Sequence, residues 1–352
     1  MSASATSAIA PATWPRDDPR DGRLIRIDRR SNALRHGRVR DLADVLVPGD
    51  LLVVNDAATI PASLHAADAR GRAVEVRLAG EIGQGRFRAV LLGDGDWRTR
   101  TEHRRPPPVL APGATLVFAS DLAARVESVD PAHPRLVVLS FSARGTALWS
   151  ALYRRGRPVQ YAHLAGPLEV WHAQTPFSAR PWAVEAPSAG RALTWELVLL
   201  LRRRGIELAA LTHAAGLSST GDASLDASLP FPERYDLPEA TVGAVARART
   251  SGGRVVAVGT SVVRALEGCA TAHRGELVAG EGITDLRIDA AFRPQIADGI
   301  VSGLHEIGSS HRELLRAFAP EALLSRALDE AAARGYLGHE FGDACLVLPG
   351  AA

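Results

Sequence analysis

Residues that can do chemistry gather in a few short loops, each beside an apolar run of strand length. Ser302-Gly-Leu-His-Glu-Ile-Gly-Ser-Ser-His311 carries two imidazoles ahead of a helical pattern. An imidazole titrates near neutrality, so His305 is a candidate general base. Gly308, Ser309 and Ser310 offer a helix start where a carboxylate or phosphate binds. His305 and His311 stand six apart with no third ligand in register, so no metal site is expected. His213 and Asn55-Asp56 follow apolar runs, at the strand ends where open α/β sheets hold ligands. Asp56 is either a base or a turn former. Gly259-Thr260-Ser261 joins a strand to a helix; glycine admits close backbone approach, and free N–H groups face the turn. Ser188, in Glu185-Ala-Pro-Ser-Ala-Gly190, can donate a hydrogen bond. The plain alternatives are capped loops, a linker, and surface or core histidines. The sequence has no P-loop, GxGxxG, HExxH or GxSxG motif.

The elements that position these loops follow from periodicity. Asp50-Leu-Leu-Val-Val-Asn55 is a buried-strand pattern after the Pro48-Gly49 stop, and Val39–Leu46 is amphipathic. Between residues 63 and 149, short strand-like runs alternate with Gly, Pro and Asp, which predicts an inserted small β-barrel. Residues 1–62 and 150–352 then read as one discontinuous α/β domain, a largely parallel sheet with packed helices. Helices are expected over 194–204, from Pro238, over 261–267, from Ser310 with capping-box spacing, and over 321–334. Residues 1–20 read as a loose tail.

Composition sets outer limits. The chain has 352 residues and a net charge of +2, and all 41 of its Lys+Arg are arginine. Arginines cluster at 35–40, 98–105, 154–157 and 202–204, which permits phosphate contact. The two distant cysteines suit a reducing cytoplasm, and neither a membrane helix nor a signal peptide is expected.

In order, these segments resemble the S-adenosylmethionine:tRNA ribosyltransferase-isomerases of queuosine synthesis. The resemblance rests on Pro48-Gly-Asp-Leu-Leu-Val-Val-Asn-Asp56 with Ile60-Pro-Ala62, Gln174-Thr-Pro-Phe177, and Ala186-Pro-Ser-Ala-Gly190 with Thr194. Glu233-Arg-Tyr235, Gly253–Thr260 with Arg264 and Glu267, His305 with Ser309-Ser310, and Phe341-Gly-Asp-Ala344 complete it. It implies an α/β domain carrying an inserted barrel. It also implies transfer of the ribosyl portion of S-adenosylmethionine to the 7-aminomethyl-7-deazaguanine of a tRNA anticodon stem-loop. On that basis His305, His213 and Glu233 are the catalytic candidates. Asn55, Asp56, Gln174, Pro187, Ser188, Gly190, Thr194, Gly259, Thr260, Arg264, Ser309 and Ser310 are the candidates for binding the co-substrate. A cytoplasmic monomer without metal is expected. The chain departs from the family at Ala57-Ala58, Ser63, Arg191-Ala-Leu, Ala214–Ser218, Leu229–Pro232 and Gly303. Other readings are a paralogue using S-adenosylmethionine on another acceptor, and a non-catalytic binding protein.

Overall fold

The computed structural model describes residues 9–351. Its centre is a nine-stranded sheet in the spatial order 280–284, 233–237, 207–213, 51–55, 255–258, 299–303, 344–347, 23–28, 33–38. Strands 207–213, 51–55, 255–258 and 299–303 are mutually parallel. Antiparallel pairings dominate outside them, with 233–237 on one side and 344–347 on the other. The sheet is therefore mixed, and its parallel order is confined to the centre and one outer pairing, 344–347 with 23–28. The reason lies in the connections: a helical crossover sets strands parallel, whereas the direct turn joining 23–28 to 33–38 reverses the chain.

Strand Leu51–Asn55 is buried along its whole length, as a central parallel strand must be. Leu51 and Val53 join a core with helices Glu239–Thr250, Thr260–Ala272 and Glu321–Ala333. Leu52 and Val54 point to the opposite face, against Leu42–Val45 and Trp195–Arg203. Asp50 ties two strand starts together, accepting the Arg254 backbone N–H at 3.0 Å and its guanidinium at 2.6 Å. Gly253 is required by contact, since a Cβ there would lie 1.9 Å from the Gly49 carbonyl oxygen.

The inserted β-barrel is closed by six strands: 122–129, 136–141, 86–92, 73–83, 63–67 and 115–119. Strand Ser63–Ala67 is the one the sequence pattern missed. The chain enters at Ser63 and returns beside it, with Ser63 and Arg157 exchanging backbone hydrogen bonds of 2.9 Å. Leu148, Ala151 and Leu152 of helix Gly145–Arg155 pack into the barrel core. Arg104 is also inside it: Arg77 and Arg104 hold the buried Glu75 carboxylate at 2.8 and 2.6 Å. One arginine of the 98–105 cluster is thus structural and faces no partner.

Two further expectations change. Residues 9–20 are not a loose tail: Ala10–Pro11 pairs with Leu337–Gly338, and Ile9 and Ala12 are buried. The rest of that expectation, residues 1–8, lies outside the described residues. The helix expected to begin with a Ser310 cap is capped by Ser309, whose hydroxyl accepts the Arg312 N–H at 3.2 Å. Ser309 has the extended backbone a cap needs, and Ser310 is already helical.

Candidate functional site

The carboxyl ends of the central strands open into a cavity of about 470 Å³, roofed by segments returning from the barrel. Gly259 turns the chain at φ +97°, and its N–H donates to Val301. This bends strand Val255–Val258 directly into helix Thr260–Ala272, so Thr260 and Ser261 stand at the cavity wall with the unpaired N–H groups of the first turn.

Glu233 also lines the cavity, almost fully enclosed. Its Oε1 accepts the Gly216 N–H at 2.7 Å, and its Oε2 pairs with Arg264. His213 Nε2 is 3.2 Å from the same Oε2, an ion-pair distance without hydrogen-bond alignment. Both ring nitrogens of this buried histidine lack hydrogen-bond partners among the described residues, as does Arg264 Nη2. Burial alone would raise the Glu233 carboxyl, but Arg264 and His213 hold it below the ordinary range.

His305 lines the same cavity with Nε2 3.0 Å from Ser302 Oγ, its ring stacked on His311 at 4.7 Å. Burial, with His311, His339 and Arg312 nearby, pushes His305 well below the ordinary imidazole range.

Of the expected residues, His213, Glu233, Pro187, Ser188, Gly259, Thr260, Arg264, His305 and Ser310 line the cavity. The others lie behind it. Asn55 spends its amide on the Ala57 and His213 N–H groups, the His213 carbonyl and Ser261 Oγ, so it braces two strand ends. Asp56 accepts Thr212 Oγ1 at 2.6 Å, and Gln174 clamps the Thr59 backbone from both sides. Gly190 packs on Thr175 and Phe177, Thr194 begins helix Trp195–Arg203, and Ser309 is spent as a cap. Asn55, Gln174 and Ser309 are held back for one reason: their polar groups meet a backbone partner before they reach the cavity.

Sequence reasoning missed Glu185 and Tyr161 as a pair. Tyr161 donates to Glu185 Oε1, and the Ser218 N–H donates to the same oxygen at 3.0 Å. Both side chains line the cavity, and burial raises the Glu185 carboxyl and the Tyr161 hydroxyl. An acid opening a run of Ala, Pro, Ser and Gly was the available signal for Glu185. Nothing in the sequence pairs it with Tyr161.

A central parallel sheet, a barrel inserted after its strand 51–55 and an enclosed cavity with a carboxylate, imidazoles and a helix start define an α/β protein built to enclose a small molecule. The chain belongs to the queuosine biosynthesis protein family, which matches residues 6–347. It is 35% identical to the S-adenosylmethionine:tRNA ribosyltransferase-isomerase of Gloeobacter violaceus over 339 residues, 95% of this chain and 91% of that one. It is also 35% identical to the one from Anaeromyxobacter dehalogenans over 350 residues, 97% and 95% of the two chains. A crystal structure of an S-adenosylmethionine tRNA ribosyltransferase from Thermotoga maritima is similar over 96% of both chains, with a TM-score of 0.52 and 26% identity.

Proposed function

We propose that this chain is an S-adenosylmethionine:tRNA ribosyltransferase-isomerase whose reaction takes place in the 470 Å³ cavity. The observation that carries the reading is a family match over nearly the whole chain, joined to a cavity lined by buried imidazoles and a buried carboxylate. The volume lies in the range that encloses a small co-substrate, about 300–1,000 Å³. In the reaction, a base takes a proton from the ribose C5′ carbon beside the sulfonium. Rearrangement then expels adenine and methionine and leaves the ribosyl carbons on the amine of 7-aminomethyl-7-deazaguanine.

His305 is the proposed base: its ring lines the cavity, with Nε2 3.0 Å from Ser302 Oγ. Thr260 and the free N–H groups beside it suit the methionine carboxylate. The carboxylates of Glu185 and Glu233 face the cavity and favour a cationic sulfonium there, with Arg264 engaged by Glu233. His213 lines the cavity with Nε2 beside Glu233 and Nδ1 without a hydrogen-bond partner among the described residues, and is proposed to hydrogen-bond the leaving adenine.

The acceptor is proposed to be the tRNA anticodon stem-loop. Arg98, Arg100, Arg154, Arg155 and Arg157 are exposed and paired only with surface carboxylates. Such pairs contribute about 0–1 kcal/mol and exchange readily for phosphate. A cytoplasmic monomer completes the proposal; both cysteines are free and buried, as a reducing compartment allows, and no described helix is long and apolar enough to cross a membrane.

Incubation with S-adenosylmethionine and tRNA carrying 7-aminomethyl-7-deazaguanine should release adenine and methionine in equal amounts. Equal release without RNA would refute the tRNA assignment. Absence of S-adenosylmethionine binding by calorimetry would refute the enzymatic reading altogether.

A further inference from the structure

The loop between Leu337–Gly338 and Ala344–Val347 turns at His339, whose backbone is left-handed at φ +65°. A non-glycine residue in that region is uncommon, although histidine is among the types that tolerate it. The turn brings the His339 ring against that of His163, with centroids 4.2 Å apart and planes 30° from parallel. It also sets Glu340 Oε2 3.1 Å from His163 Nε2, across 177 positions of sequence. One donor atom from each of the three side chains lies within 4.8 Å of the other two.

We propose that His163, His339 and Glu340 form a site for a borderline divalent metal ion of the zinc class at the mouth of the cavity. Two imidazoles and one carboxylate are a donor set that zinc accepts, with a fourth position left exchangeable. Bonds of about 2.0–2.1 Å in a tetrahedral arrangement put donor atoms about 3.3 Å apart. His163 and Glu340 already stand at that spacing, and His339, on an exposed turn, has at most roughly 1.5 Å to close. His339 and Glu340 line both the main cavity and a small adjoining one, so the ion borders the space that receives substrates. Glu306 Oε1, 4.0 Å from His339 Nε2, is a fourth donor within reach. The sequence argued against a metal because it considered only His305 and His311, whereas this site joins segments that are neighbours only in the fold. The proposal does not depend on the reaction assigned above.

The full-length protein, stripped with a chelator, is titrated with Co²⁺ followed by visible absorption and with Zn²⁺ followed by calorimetry. The expected result is about one equivalent bound, with the d–d bands of a low-coordinate cobalt site. His339→Asn keeps a residue that tolerates the left-handed backbone, and Glu340→Gln keeps a polar partner for His163. Each should weaken binding at least about tenfold, while His311→Ala leaves affinity within about twofold. No stoichiometric binding overturns the proposal. So does affinity undiminished in His339→Asn and Glu340→Gln, which would make the cluster only a hydrogen-bonded pair. A loss in His311→Ala equal to that in His339→Asn would place the ion on the cavity histidines and overturn it as well.

Discussion

Arg264→Met removes the guanidinium that faces Glu233 while keeping much of the apolar stem. In the native fold both side chains are nearly enclosed, 11% and 7% exposed, and Glu233 has otherwise only the Gly216 N–H and the misaligned His213. Breaking one side of such a pair leaves an uncompensated buried charge and costs about 3–5 kcal/mol. A chain of 352 residues unfolds with an entropy of roughly 0.7 kcal/mol/K, so the loss corresponds to a fall in Tm of about 4–7 °C at pH 8. The pH dependence sharpens the test. In the parent protein Arg264 and His213 hold the folded-state carboxyl below its ordinary range against burial, so its stabilisation is present above the unfolded pKa and fades as pH falls through the folded one. In Arg264→Met burial dominates, the folded carboxyl rises above its unfolded value, and the folded state then binds the extra proton. The gap in Tm between parent and variant should therefore narrow from pH 8 to about pH 5. Adding Glu233→Gln removes the stranded charge and should restore most of the loss. Scanning calorimetry reads all three. A Tm loss under about 1 °C, or a gap that widens on acidification, would refute the argument.

Other consequences are simpler to measure. Thr260→Val should weaken S-adenosylmethionine binding by about tenfold or more, the worth of one hydrogen bond to a charged group, with Tm unchanged; equal affinity removes that turn from the site. With His305 held well below the ordinary imidazole range, kcat/KM for adenine release should stay level from about pH 8 to 6.5 and fall only at lower pH, and an acid limb at or above 6.5 would exclude it as the base. Glu75→Ala strands two buried arginines in the barrel and should lower stability by about 3–5 kcal/mol, read as a shifted urea midpoint. Affinity for tRNA should fall linearly on a log–log plot against salt; a flat response would exclude the exposed arginines as phosphate contacts.

The local elements were legible in the amino-acid order because their causes are local. Leu51–Val54 and Val255–Val258 are unbroken apolar runs, as suits a strand covered on both faces, and Gly259 marks a tight turn into a helix start. The barrel was readable as a series of short runs, but Ser63–Ala67 was not, since its alternation is too brief to separate from the loop before it. Side-chain partnership was beyond the sequence. Asn55 and Gln174 look like ligand donors until the fold supplies nearer backbone partners, and Arg104 looks like an RNA contact until the barrel closes around it. Tyr161 with Glu185, and His163 with His339 and Glu340, meet only because the segment returning from the barrel folds back over the ends of the strands. Residue types and short-range spacing therefore determined which elements form and which loops hold polar groups. Which of those groups face the cavity was decided by tertiary packing, because burial and hydrogen-bond partners depend on distances in space that positions along the chain do not carry.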